Sequence, residues 1–128
     1  MIILGLGNDL VNTNRFKKVL KTNLKFKKRI FTKNEIKYCE SKKENHLCYA
    51  KRFAAKEAFA KCLGVGISKG INFKDIEVKN NTLGSPKLKI SGDTLKITHK
   101  ILKKKKFKLF LSLSDDKPYA VAVVILTI

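Results

Sequence analysis

The stretch 47–63, LCYAKRFAAKEAFAKCL, constrains the fold more than any other part of the chain. Alanine recurs through it, glycine and proline are absent, and Gly64 follows where a helix would stop. Its apolar residues surround the axis instead of forming one stripe, which predicts a central helix with neighbours on several sides. Those neighbours can be placed along the chain. Residues 2–7 (IILGLG), ended by Asn8-Asp9, predict a buried strand and a turn. Asn12 or Thr13 is placed to cap a helix that turns Phe16, Val19 and Leu20 inward and Arg15, Lys17, Lys18 and Lys21 outward. The basic stretch 24–30 (LKFKKRI) places Lys25, Lys27, Lys28 and Arg29 around Phe26. Thr32 and Glu35 form a capping-box pattern for a short helix to about Glu40, and 41–45 reads as a loop. Gly64-Val65-Gly66 and Gly70 predict a flexible bend. Strands at 73–78 and 87–90 flank the turn NNTLGSP, and a helix over 92–105 ends in lysines 103–106. Strands at 107–114 and 119–126 flank DDKP in a second hairpin. This order predicts one α+β domain over 1–128, with a mixed or antiparallel sheet of about five strands packed with helices.

At 128 residues and 44% hydrophobic composition the chain has enough material for one real core. No apolar run approaches the roughly 20 residues that span a bilayer, and the start lacks the layout of a secretory signal, so neither a membrane nor export is expected. Cys39, Cys48 and Cys62 form no CxxC, and with His46 and His99 they match no usual zinc spacing. They read as small buried hydrophobes in a reducing, cytoplasmic compartment. The net charge of +19 attracts polyanions: nucleic acid, phosphorylated small molecules or an acidic protein. Only Arg15, Arg29 and Arg52 are arginines, and the abundance of lysine, asparagine and isoleucine also matches an A/T-rich coding bias. Charge alone therefore does not separate a nucleic-acid binder from an enzyme that handles phosphates.

With ten acids against 29 bases, a carboxylate in an apolar setting stands out. Glu57 shares a face of the central helix with Ala50, Phe53, Ala54 and Lys61, and Lys61 is close enough to pair with it. Asp9 sits where the first strand is expected to end. Taken singly, Glu57 reads as an intrahelical ion pair and Asp9 as a turn or cap residue. Brought together away from water, the two repel unless a proton or cation intervenes. Magnesium suits such a pair, because it accepts a few carboxylates plus substrate phosphates.

FAAKEAFAKCLGVG (53–66), after GLGNDLVNTNRF (5–16), closely resembles the holo-[acyl-carrier-protein] synthases, the small 4′-phosphopantetheinyl transferases. The resemblance continues through KGINFKDIEVKN (69–80), LGSPKLKISGDTLK (83–96) and LSLSDDKPYAVAVVI (111–125). RFAAKEAFAK is its most specific part. The resemblance implies transfer of the 4′-phosphopantetheine arm of coenzyme A to a serine of apo acyl carrier protein, with adenosine 3′,5′-bisphosphate leaving, in fatty-acid biosynthesis. It implies Asp9 and Glu57 as ligands of Mg²⁺, Lys61 as the helix lysine beside the reacting phosphates, and Lys51 and Arg52 as contacts for coenzyme A phosphates. Gly64 and Gly66 match the bend that lets backbone approach the nucleotide. Arg15, Lys25, Phe26 and Arg29 match the carrier-protein face, where the bland alternative is a solvated basic surface over a core Phe26. A homotrimer with active sites between subunits is also implied.

Two departures from the family pattern bear on coenzyme A contacts. Asp115 stands where many members have histidine, and Ser85 replaces the lysine of a glycine–lysine–proline turn. The sequence does not single out the general base, Asp9 being one candidate. Two other readings compete: a small basic nucleic-acid-binding, ribosome-associated protein, and a non-catalytic module for coenzyme A or an acidic protein. The first explains the charge but not an acid on the apolar helix.

Overall fold

A computed structural model describes residues 1–67, 70–104 and 106–128. The long helix forms as expected and runs Asn45–Cys62, with Gly64 at φ 74° donating its N–H to the Lys61 carbonyl. Four shorter helices accompany it, so in chain order the helices are α1 (Thr13–Thr22), α2 (Phe26–Ile30), α3 (Lys33–Glu40), α4 (Asn45–Cys62) and α5 (Gly92–Leu102). The strands are β1 (Ile3–Asn12), β2 (Ile76–Asn80), β3 (Pro86–Ile90), β4 (Lys108–Asp116) and β5 (Tyr119–Thr127). Every pairing is antiparallel, and the five strands divide into a three-stranded sheet, β1-β5-β4, and the separate hairpin β2-β3.

α4 lies across the inner face of the larger sheet. Ala54, Ala55, Ala58, Phe59 and Cys62 pack with Ala122, Val124 and Leu126 of β5 and with Ile76 and Val78 of β2 in one core. A second core gathers Phe16, Ile30, Phe31, Cys39, Tyr49 and Ala50 beneath the first three helices. Burial on all sides explains why α4 lacks a single apolar stripe. β1 comes unusually near. A Cβ built on Gly5 would lie 2.3 Å from the Cys62 carbonyl oxygen, and one on Gly7 would lie 1.9 Å from that of Ala58. Only glycine permits this approach of strand to helix.

Several sequence expectations need correction. β1 does not end at Gly7: it continues through Asn8 and Asp9, paired with Val123 and Ala122, so Asp9 lies inside the strand. The backbone ladder to β5 outweighs the turn tendency of Asn-Asp. Residues 73–75 form a 3₁₀ turn instead of strand, with Asn72 capping Lys74 N–H at 3.1 Å. α5 stops at Leu102, and Lys103 at φ 55° terminates it. The lysine run therefore follows the helix, and Lys105 lies outside the described residues, as do positions 68–69 of the expected bend. Cys39 and Cys48, which read from the sequence as small buried hydrophobes in a reducing compartment, are joined by a disulfide between α3 and α4. Cys62 alone is a free thiol; it is buried, donates to the Val124 carbonyl, and its pKa is pushed up to about 11, chiefly by burial.

Candidate active site

The close approach of β1 to α4 creates the site. Side chains alternate along β1, so Asp9 points to the same face as Gly5 and Gly7, toward α4. There it meets the last two turns of the helix. Asp9 and Glu57 line one cleft of about 370 Å³, with Arg15, Phe16, Phe26 and Phe53 along its other walls. Lys61 Nζ donates to Asp9 Oδ1 at 3.1 Å, so the lysine pairs with the strand acid and not with Glu57, its neighbour on the helix. Glu57 is half-buried. Burial pushes its carboxyl above the usual range, the Asp9 charge pushes it further, and Lys61 opposes both. Two carboxylates thus share one cleft, and one of them is paired with an ammonium.

This donor set suits a hard divalent cation. Among the described residues no group of three or more histidines, cysteines or acids gathers to hold a metal alone. Two carboxylates leave most coordination positions to phosphate oxygens and water, which is how magnesium is commonly held beside a phosphorylated substrate.

Two of the four expected carrier-protein residues, Arg15 and Phe26, line the same cleft. Asn12 caps α1 by accepting the Arg15 N–H at 3.0 Å, which sets Arg15 in the first turn, exposed. Lys25 and Arg29 are also exposed. Phe26 is half-buried, with its ring centroid 5.6 Å from Phe16 and 6.0 Å from Phe53. It is both a member of the aromatic cluster and a wall of the cleft. Gly64 and Gly66 are exposed just beyond the end of α4.

Lys51 and Arg52 lie elsewhere. They line a second cleft of about 460 Å³ with Tyr38, Lys42, Asn80 and Asp115. Lys51 Nζ donates to Asp115 Oδ1 at 2.9 Å, so the residue standing at the family's histidine position holds a lysine of the same cleft. On a single chain the two clefts share no lining residue.

One buried network escaped the sequence reading. Lys56, next to Glu57 but fully buried, donates to Glu35 Oε1 at 2.8 Å, to the Phe73 carbonyl at 2.9 Å and to the Ile76 carbonyl at 2.5 Å. Glu35 also completes its capping box with Thr32 and accepts the Val78 N–H at 2.9 Å. Burial depresses the Lys56 pKa, and the Glu35 charge counters it. This pair ties α3 and α4 to β2, so the hairpin sits in fixed register with the central helix. The capping-box pattern located Glu35, but nothing in its spacing signals burial.

The family described as the 4′-phosphopantetheinyl transferase superfamily matches residues 5–124. The holo-[acyl-carrier-protein] synthase of Pelagibacter ubique is 46% identical over 126 residues, 98% of each chain. The crystal structure of a holo-(acyl-carrier-protein) synthase from Bacillus anthracis in complex with CoA (3′,5′-ADP) superposes with a TM-score of 0.81. It is 37% identical, covering 99% of this chain and 98% of that one. The Helicobacter pylori enzyme in complex with coenzyme A gives a TM-score of 0.80 at 31% identity, covering 95% and 99%. Matched almost end to end in sequence and in fold, this chain belongs to the 4′-phosphopantetheinyl transferase superfamily and, within it, to the holo-[acyl-carrier-protein] synthases.

Proposed function

We propose that the cleft between Asp9 and Glu57 is where 4′-phosphopantetheine passes from coenzyme A to a serine of apo acyl carrier protein in fatty-acid biosynthesis. The observation that carries this reading is the junction of two carboxylates, one of them paired with Lys61, with Arg15 and Phe26 in a single cleft. The serine hydroxyl gives its proton to a base, Asp9 or a water of the cleft, as its oxygen forms a bond to the β-phosphorus; the bond from that phosphorus to the bridging oxygen breaks, and adenosine 3′,5′-bisphosphate carries the released charge away. Magnesium held by Asp9 and Glu57 would offset the charge of the diphosphate. Lys61, half-exposed and already hydrogen-bonded across the cleft, is placed to turn toward negative charge that develops on the phosphate or the leaving group. The chain itself contributes mainly position and neutralisation, because the donor brings the group that moves.

Arg15, Lys25 and Arg29 supply a basic approach to this cleft for an acidic partner, acting mostly on association rate, with Phe26 as an apolar anchor. The outer face of the β1-β5-β4 sheet supports a homotrimer. Leu6 and Leu10 are 66% and 64% exposed, and Phe110 is 46% exposed, on a face that none of the described elements covers. Joining copies through that face would let one subunit's Arg52 cleft serve a neighbour's carboxylates. We assign the enzyme to the cytoplasm, where a reducing poise would act on the Cys39–Cys48 bond. Among the described residues no helix is long and apolar enough to cross a membrane.

The test is to incubate the protein with coenzyme A, magnesium and apo carrier protein and weigh the carrier. The expected product has gained one 4′-phosphopantetheine, with Asp9→Asn and Glu57→Gln each losing most of the turnover. No gain with a cognate carrier, or normal turnover by either variant, contradicts the reading.

A further inference from the structure

Arg52 is unusual among the described cations. It is 3% exposed, yet among the described residues it forms no ion pair with a carboxylate, and its Nε–H has no hydrogen-bond partner. Its direct contacts are neutral, and the Glu35 carboxylate, which acts on it through space, is bound to Lys56. Nη2 donates to Asn80 Oδ1 at 2.5 Å, Nη1 donates to Cys48 Sγ at 3.4 Å, and the group lies 4.3 Å from the centre of the Tyr38 ring. Each wall of this cage is itself held. Asn80 closes β2 and donates its amide to the Gly84 carbonyl at 3.0 Å, which aims its oxygen at Arg52. Cys48 is one helical turn before Arg52 on α4, and its disulfide partner Cys39 follows Tyr38 directly, so the ring and the guanidinium are cross-linked through the backbone of α3.

A buried charge is ordinarily matched by an opposite charge. Here the fold fixes the direction of the guanidinium and sets no carboxylate against it: of the acids lining the same cleft, Asp115 is held by Lys51 and Glu44 by Lys117, while Lys42 adds a further cation. A fork held rigidly by neutral acceptors keeps its capacity for an incoming anion and loses little rotamer entropy when one arrives.

We propose that Asn80 and Tyr38 are positioning residues for Arg52, holding its guanidinium oriented and out of contact with any carboxylate so that it meets a phosphate of coenzyme A. The proposal rests on the reading that Arg52 contacts the donor. It makes donor affinity depend on two neutral side chains that touch neither the carboxylate pair nor the carrier-protein face. It also separates two substitutions that a packing role would treat alike. Asn80→Ala frees the guanidinium, and Asn80→Asp hands it a permanent counter-charge that competes with phosphate.

The experiment measures steady-state kinetics for coenzyme A and for apo carrier protein, with thermal unfolding in parallel, for wild type, Asn80→Ala, Asn80→Asp, Tyr38→Leu and Arg52→Ala. Asn80→Ala and Tyr38→Leu are expected to raise KM for coenzyme A about tenfold, the loss of one hydrogen bond or stack to a charged group. They should leave kcat and the KM for carrier within about twofold. Asn80→Asp should raise the coenzyme A KM more than Asn80→Ala while melting at or above the temperature of that variant. If Arg52→Ala leaves KM for coenzyme A unchanged, the underlying reading of Arg52 is wrong. If Arg52→Ala raises it but neither Asn80 variant does, or if Asn80→Asp binds the donor better than Asn80→Ala, the positioning role is overturned.

Discussion

Gly7→Ala tests whether the contact between β1 and α4 builds the site. Gly7 has no left-handed φ, so alanine suits its backbone and the cost is steric alone. The new Cβ would lie 1.9 Å from the Ala58 carbonyl oxygen and 2.9 Å from the Cys62 nitrogen, both helix backbone that cannot rotate aside. Ordinary contact needs about 3.5 Å, so strand and helix must separate by about 1.5 Å. Overpacking commonly costs about 1–3 kcal/mol, and rigid backbone on both sides puts this case near about 3 kcal/mol. For a domain of this size that lowers Tm by roughly 10 °C. The chemistry should suffer more. Asp9 is two residues along on the same face and moves with the strand, away from Lys61 and Glu57, and a displacement of about 1 Å at a reacting centre costs on the order of 100-fold. Calorimetric melting and mass-spectrometric turnover read the two effects on one preparation. A Gly7→Ala protein that melts within about 2 °C of wild type and turns over normally would refute the claim that this contact sets the site.

Three further outcomes follow from particular side chains. Lys56→Met leaves Glu35 charged and buried without its partner, so unfolding free energy should fall by about 3–5 kcal/mol, and chemical denaturation measures it; Glu35→Leu added to it should restore part of the loss. The raised pKa of Glu57 means that the fold binds that proton more tightly than the unfolded chain does. Its stabilisation is complete below the ordinary value of 4.5 and is lost as pH rises through the folded value. Metal-free Glu57→Gln should therefore melt above wild type at pH 7–8, with the difference shrinking toward pH 4, although turnover is lost. Charge reversal at both Arg15 and Arg29 should raise KM for the carrier about tenfold at low salt, less at high salt, and leave coenzyme A binding measured by calorimetry unchanged.

Much of this architecture is legible because local signals and tertiary demands agree. The glycine-free, alanine-rich run ended by Gly64 is α4, Thr32 with Glu35 does form a capping box, and both hairpins fall where turn residues interrupt alternating runs. The misplacements have tertiary causes. Asn8-Asp9 carries a turn signal but has β5 alongside to pair with, and residues 73–75 alternate like a strand but have no ladder partner. The site divides in the same way. Glu57 is conspicuous as an acid on an apolar helix, whereas its meeting with Asp9 depends on the glycines of GLG lying against the Ala58 and Cys62 backbone. Asn80 and Tyr38 resemble a turn residue and a helix aromatic until the fold brings both to Arg52. The Cys39–Cys48 pairing likewise requires knowing that α3 packs against α4.

A crystal structure of the protein with coenzyme A and magnesium bound is the decisive measurement. One metal ion ligated by both Asp9 and Glu57 and by oxygens of the diphosphate is expected, with Lys61 turned toward those phosphates. A diphosphate bound away from both carboxylates, with Lys61 still on Asp9 and no metal between the acids, would contradict the proposed site.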